Sequence, residues 1–365
     1  MALYGISLSP LLNTLKNTSE NVKQVAFADD LTGAGKIREL RHWWDNLVTL
    51  GPKIGYYPNP SKSWLIIKRE CADLTNVFDG SSVKITHEGQ KHLGAMIGEV
   101  KFKEKYVADK VEKWVKELKI LSKIAETQPQ AAYVAFIVGY RQKFNYIFRT
   151  MNNLDEFLIP IENVIRFHFI PAICDGRHCS DDERLLLSLP IKLGGLGIIN
   201  VINESKYQFE TSRAMTNQLC DRIVAQSEED VNVAATRKIL NERKSIRNGE
   251  QEIILKEIVA KFTPLQQKAI EISRSEGASA WLTTLPLKDE NYVLNKQEFF
   301  DAIYMRYVWE MKRLPSKCAC QSILTLEHAL SCHLGGFTIQ RHNNVRDLMA
   351  NLLKKYVMMC QQSHH

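Results

Sequence analysis

Between Tyr106 and Ala125 the apolar positions Val107, Val111, Trp114, Val115, Leu118, Leu121 and Ala125 fall three or four residues apart, the spacing of a helix with one buried face. Two further helical runs come next, from about Gln130 to Arg149 and from Leu158 to Phe169. The first hundred residues have a different texture. A short helix from about Ile6 to Leu15 leads into the apolar run Val22 to Ala28, which has the length of a strand. Leu40, Trp43, Trp44, Leu47 and Leu50 then form the stripe of a helix from about Lys36, which Gly51-Pro52 ends. Trp64 to Ile67 predicts a second strand after the turn-rich Tyr57-Pro58-Asn59-Pro60-Ser61. Val83 to Thr86 and Lys91 to Ile97 predict two more strands joined by a turn at Glu88-Gly89.

This order predicts an α+β chain in which a small antiparallel sheet with helices on one side is followed by a mainly helical remainder. Leu189 to Ile198, with Gly194, Gly195 and Gly197, reads as a loop where backbone packs closely. Residues 226–251 are highly charged and weakly apolar, the pattern of a mobile linker or a solvated helix. The resulting division is 1–100, 101–200, 201–280 and 281–365, with no convincing internal repeat.

Composition narrows the class. With 365 residues, 45% of them apolar, the chain can bury a full core. A formal charge of +7 leans towards an anionic partner, although a surplus this small decides little without local clustering. No apolar stretch approaches the length of a membrane span, and Met1-Ala2-Leu3-Tyr4-Gly5 lacks the features of an export signal. An intracellular protein, cytoplasmic or nuclear and not secreted, is the expectation. Of the eight cysteines, Cys71, Cys174, Cys179, Cys220 and Cys360 are scattered, while Cys318, Cys320 and Cys332 are bunched with histidine, which in a reducing compartment suggests metal.

Two adjacent carboxylates, Asp29 and Asp30, end the first strand run Gln24-Val25-Ala26-Phe27-Ala28. Paired acids at a strand end suit a Mg²⁺ ion shared with a polyphosphate, as in two-metal nucleotidyl transfer. Asp-Asp followed by Thr32 and Gly33 is equally ordinary turn chemistry, with Asp30 or Thr32 capping the helix beyond. The order of the downstream motifs weighs against the plainer reading. Phe-Ala-Asp-Asp-Leu-Thr, a helix, Gly55-Tyr56-Tyr57-Pro58-Asn59-Pro60-Ser61-Lys62-Ser63 and then His92-Leu93-Gly94 resembles the second half of a reverse transcriptase palm, most like that of non-LTR (LINE-like) retrotransposons. Leu3-Tyr4-Gly5-Ile6 with Pro10-Leu11-Leu12 at one end, and Lys192 to Ile198, the His-Ala-Leu-Ser-Cys run and the Arg-His-Asn run at the other, extend the resemblance over most of the chain.

The resemblance implies a partial palm over 1–100, a helical thumb over 101–200, a helical connection over 201–280 and a zinc-knuckle-like unit over 281–365. It implies that Asp29 binds the metal that activates a primer 3′-hydroxyl, that Asp30 tunes the site, and that Lys62 lies near the leaving pyrophosphate. His92, Leu93 and Gly94 would form the hairpin that grips the primer. Lys110, Lys113, Lys116, Lys119 and Lys123 would line the thumb and contact the phosphates of a template-primer of RNA and DNA. On pattern alone those lysines are equally a solvated face paired with Glu104, Asp109, Glu112 and Glu117. The family's first catalytic aspartate and its fingers precede the point where this chain begins, so the expectation is a fragment inactive by itself, with Mg²⁺ and dNTP as partners only of the complete enzyme. A non-catalytic nucleic-acid-binding module and a protein-interaction scaffold are the alternatives.

The third cluster reads Cys318, one residue, Cys320, seven residues, His328, three residues, Cys332. Three thiolates and one imidazole are a common tetrahedral zinc set, and His328 and Cys332 are spaced to share a helical face. The single residue between the first two cysteines is tighter than the usual two. His333 or His342 could stand in for a member, and the plainer alternative is a set of buried, reduced thiols.

Overall fold

The computed structural model describes residues 2–227, 229–230, 232–311, 314–334 and 337–362. The side chains of Leu3, Tyr4 and Cys360 lie outside that description. The described chain divides into two units, 1–307 and 308–365.

The larger unit opens with helix α1 (Ala2–Thr18), then strands β1 (Lys23–Phe27) and β2 (Asp30–Ala34), then helix α2 (Ile37–Leu50). Leu8, Leu11 and Leu15 of α1 close on Trp43, Trp44 and Leu47 of α2, with Val22, Leu65 and Phe78 completing a local core. The α2 stripe read from the sequence is the face that is buried. Strand β3 (Trp64–Ile66) pairs in parallel with β4 (Lys84–Thr86), and β5 (Gly89–His92) pairs antiparallel with β6 (Ala95–Gly98).

The expected single antiparallel sheet is therefore three separate two-stranded ladders. The run Lys91 to Ile97 is itself a hairpin, and its turn lies at Leu93-Gly94 rather than at Glu88-Gly89. The reason is conformational: Leu93 and Gly94 adopt φ of 48° and 87°, the consecutive left-handed pair that closes a two-residue hairpin. Strand β4 is free to lie parallel to β3 because the long 3₁₀ run Arg69–Phe78 supplies the crossover that parallel pairing needs.

Helix α3 (Val100–Ala125) buries Val107, Val111, Trp114, Leu118 and Ala125, the positions its period predicts. The next two helical runs are interrupted. Residues 129–150 comprise α4 (Pro129–Val134), a π segment (Ala135–Gly139), a 3₁₀ segment (Tyr140–Phe144) and α5 (Asn145–Thr150). The run from 155 comprises α6 (Asp155–Val164), a π segment (Ile165–Phe169) and α7 (Ile170–Ile173). Pro171 carries no backbone N–H to continue the ladder, and a π turn before it absorbs the missing bond.

Helix α8 (Asp181–Ser188) starts with a Ser180/Glu183 capping box and ends at the glycine-rich loop. In that loop Gly194 and Gly197 have φ of 88° and 65°, and a Cβ at Gly195 would lie 2.1 Å from the Leu189 carbonyl oxygen. Side chains from distant elements satisfy its carbonyls: Tyr307 bonds Gly194 O at 3.0 Å, Arg306 bonds Gly195 O at 3.2 Å and Tyr133 bonds Leu196 O at 2.7 Å. Arg141 bonds Gly197 O at 3.2 Å, and Arg184 bonds Ile198 O at 2.8 Å. Burial pushes the Tyr307 phenol up to about 12 and raises Tyr133 as well, so both remain protonated donors at neutral pH.

Helices α9 (Val201–Ala225) and α10 (Val233–Val259) lie side by side. Of the two readings of residues 226–251, the helix is the one realised over most of the stretch, and α10 docks through charge. Arg243 pairs with Glu210 at 2.7 Å, while Arg247 pairs with Glu204 and lies 4.1 Å over the Tyr207 ring. Helices α11 (Pro264–Ser273), α12 (Ala280–Thr283) and α13 (Lys296–Tyr307) complete the unit.

In the smaller unit a bridge between Lys317 and Ile323 closes a tight turn, followed by α14 (Leu326–Ser331) packed on α15 (Phe337–Gln362). Among the described residues no helix is long and apolar enough to cross a membrane. Replacing Tyr133 by Phe leaves a buried carbonyl without its donor and is expected to cost about 1–3 kcal/mol in denaturant unfolding. Tyr57→Phe, at a ring 74% exposed, serves as the near-neutral control.

Candidate functional site

The Asp29-Asp30 pair sits at the end of the first strand run, as the sequence predicts, and a second strand, β2, which the sequence did not predict, makes that end a hairpin. Phe27 pairs with Asp30, leaving Ala28-Asp29 as a two-residue turn, and Ala28 takes a φ of 53°, unusual for a residue with a Cβ. Both carboxylates are exposed. The helix-cap alternative does not hold: α2 begins after Lys36 with no side-chain cap, and Asp30 and Thr32 belong to β2.

Gln24 anchors the hairpin from below. Its side-chain amide donates to Leu12 O of α1 at 2.6 Å and accepts from the Trp43 indole of α2 at 2.9 Å. Its backbone is clamped by Gln226, just past α9, which accepts from Gln24 N at 3.2 Å and donates to Gln24 O at 3.0 Å. Two other segments reach the hairpin itself. Tyr56 donates its hydroxyl to Asp29 O at 3.1 Å, and His92 Nε2 lies 3.1 Å from Thr32 Oγ1.

Lys62 is exposed at the end of the 3₁₀ turn Pro60–Lys62, and no hydrogen bond or ion pair joins it to either aspartate. The turn of the β5–β6 hairpin is already covered. Tyr146 of α5 donates to Leu93 O, and a Cβ on Gly94 would meet the Tyr146 ring at 3.0 Å. The close approach that glycine permits here is used by Tyr146. Among the described residues the aspartates gather no third carboxylate, imidazole or thiolate, so no ligand set for Mg²⁺ is formed at the hairpin.

The lysines of α3 divide by surroundings. Lys110 lies 5.6 Å over the Tyr106 ring, and Lys116 pairs with Glu112 at 2.5 Å. Glu117 pairs instead with Lys143 at 2.8 Å. Among the described residues Lys113, Lys119 and Lys123 make no ion pair. Lysines three apart drift by about 60° per step around a helix with 3.6 residues per turn, so Lys110 and Lys119 lie on opposite sides of it. The row winds around α3 and does not form one straight track.

In the smaller unit Cys318, Cys320, His328 and Cys332 bring one ligand atom each to within 4.8 Å of one another. The tight spacing of the first pair is accommodated by a closed turn: Cys318 N bonds Ser322 O at 2.9 Å, Gln321 N bonds Cys318 O at 2.8 Å, and Gln321 has a φ of 70°. Thr325 caps α14 by accepting from His328 N at 3.1 Å, and Cys332 closes the helix with its N–H on His328 O at 2.8 Å. This places imidazole and thiol one helical turn apart.

Cys318 Sγ lies 3.6 Å from Cys332 Sγ, far beyond a disulfide bond, and Cys320 Sγ lies 3.1 Å from His328 Nε2. A tetrahedral zinc ion with Zn–S bonds of about 2.3 Å spaces its sulfurs about 3.8 Å apart. The cluster is a Cys₃His set compatible with zinc, and neither His333 nor His342 belongs to it. Hydrogen bonds from the Ser322 side chain and backbone hold the Cys320 thiol down to about 6, favouring the thiolate that metals bind. At Cys318 a hydrogen bond with the Cys320 backbone lowers the pKa, but burial and the neighbouring thiols outweigh it and the net direction is up.

Tyr56, Gln24, Gln226, Tyr146 and Ser322 were not singled out from the sequence, and Thr32 was read there as a helix cap. Tyr56 falls inside the quoted Gly-Tyr-Tyr-Pro run, and Gln24 and Thr32 fall inside the quoted runs around Asp29-Asp30, whereas Gln226, Tyr146 and Ser322 carry no local signal. Comparison with known proteins yields no match to any family model, curated protein or solved structure. Metal analysis of the purified chain is expected to find about one zinc ion per chain, largely lost in Cys332→Ser. A metal-free parent protein would remove the site.

Proposed function

We propose that this chain is a palm-and-thumb piece of a reverse-transcriptase-like polymerase that holds a template-primer of RNA and DNA, with the Cys₃His unit as a zinc knuckle. The observation that carries the reading is the meeting of three motifs far apart in sequence. The Gly-Tyr-Tyr-Pro segment through Tyr56 and the His-Leu-Gly hairpin through His92 each come within hydrogen-bond distance of the Asp29-Asp30 hairpin. Ordinary turn chemistry at Asp-Asp gives no reason for these particular segments to converge.

In this reading Asp29 and Asp30 are the part of a two-metal site contributed by the hairpin, and Mg²⁺ and dNTP belong to the complete enzyme. Two exposed carboxylates cannot hold two cations without further ligands, and the described residues supply none at the hairpin. Lys62 would act on the leaving group only if a bound nucleotide drew it in. Lys113, Lys119 and Lys123 are available to phosphate because no acid occupies them.

The missing third ligand equally favours a second reading, a nucleic-acid-binding module without catalysis. Two measurements separate them. Fluorescence anisotropy with a labelled RNA–DNA primer-template is expected to show binding that weakens steeply with salt, its log–log slope falling by roughly 0.9 for each of Lys113, Lys119 and Lys123 changed to Ala. On the polymerase reading binding prefers a recessed primer 3′ end over a blunt duplex of the same length; on the module reading the two bind alike. Primer extension by the chain alone is expected to be undetectable. Template-dependent incorporation abolished by Asp29→Ala would show that the hairpin suffices.

A further inference from the structure

The C-terminal half of α3 borders a cavity of about 570 Å³ lying between it, the α6–α7 run and the start of α13. Three lysines line it, Lys119 and Lys123 from α3 and Lys296 from α13, and none makes an ion pair among the described residues. Lys296 Nζ lies 5.6 Å from the Phe300 ring, which forms part of the buried floor. His168 and His178 add two exposed imidazoles, and Phe167 projects at the cavity with half its surface in solvent. The Arg166 guanidinium lies 5.3 Å from the centre of the Phe167 ring. Glu126 and Asp175 are the acids in the lining, so with both histidines neutral the cavity keeps a net positive charge.

We propose that this cavity binds single-stranded nucleic acid, with phosphates on Lys119, Lys123 and Lys296 and an unpaired base against Phe167. The inference rests on the nucleic-acid-binding reading of α3 and adds residues from two other elements to it. The charge alone would accept any polyanion. The aromatic ring narrows the choice, because a duplex keeps its bases stacked inside and offers only its backbone, whereas a single strand can lay a base on an exposed ring. The volume suffices for about one nucleotide, with neighbouring phosphates on the lysine rim. Lys296 is the discriminating residue, since it lies 173 positions from Lys123 and is no part of the α3 row.

The test uses the full chain and a labelled oligouridylate of about 12 nucleotides, within the usual range of single-strand site sizes. Phe167→Ala is expected to weaken binding about fivefold or more, and Lys296→Ala to make the salt slope shallower by about 0.7. Neither change should alter affinity for a blunt duplex. Far-UV circular dichroism checks that each variant is folded, and both side chains are exposed enough to be replaced without opening a core.

Each outcome bears on a different claim. If primer-template binds but Phe167→Ala and Lys296→Ala leave oligouridylate binding unchanged, the cavity inference is overturned and the polymerase reading is untouched. If both variants lose oligouridylate while the parent ignores primer-template, the cavity stands and that reading falls. Polyphosphate that competes as well against Phe167→Ala as against the parent overturns the base contact. Absence of binding to either nucleic acid overturns both claims.

Discussion

A buried backbone carbonyl must find a donor, and the glycine-rich loop from Gly194 to Ile198 carries a run of them into the interior of the larger unit. Tyr307, Arg306, Tyr133, Arg141 and Arg184 each satisfy one, and these residues come from α13, α4, the 3₁₀ segment before α5 and α8. Arg184 also holds Glu162 of α6 at 2.7 Å, a pair only 5% and 13% exposed. The loop is thus the point at which helices remote in sequence are fixed relative to one another. Glycine is needed because a side chain at Gly195 would occupy the space of the Leu189 carbonyl.

From that loop α9 runs for 25 residues, about 37 Å at 1.5 Å per residue, and Gln226 just beyond its end reaches the backbone of Gln24. A constraint set deep among the helices is carried along a rigid rod to the strand that presents Asp29 and Asp30. The same Gln24 joins α1 to α2 through its side chain. Polar bonds from Leu12, Trp43, Gln226, Tyr56 and His92 hold the hairpin, while the acids at its tip remain in solvent.

The Cys₃His cluster obeys a different logic. All its members lie within 15 residues, and each is positioned by local bonds: a turn for the first two cysteines, an N-cap and a closing helical bond for His328 and Cys332. Short-range geometry of this kind follows from residue spacing, and the ligand set read from the sequence is the one that assembles. The single-residue gap, which argued against a knuckle, is absorbed by the left-handed φ of Gln321.

The helices α2 and α3, the strand run before Asp29 and the Cys₃His set were legible because each depends on residues close together in the chain, whereas β2 was not, since its residues read as turn and cap ahead of α2. Period, turn residues and ligand spacing carry that information directly. The pairing of the short strands was not legible. Lys91 to Ile97 reads equally as one strand or as a hairpin until consecutive left-handed residues at Leu93 and Gly94 select the latter, and nothing local makes β4 lie parallel to β3. Tyr56 on Asp29, His92 on Thr32, Gln226 on Gln24 and Lys296 beside Lys119 and Lys123 were decided only by the tertiary structure. Such contacts depend on where whole elements pack, which the sum of many weak burial and hydrogen-bond terms over the entire chain determines, and no stretch of sequence contains that sum.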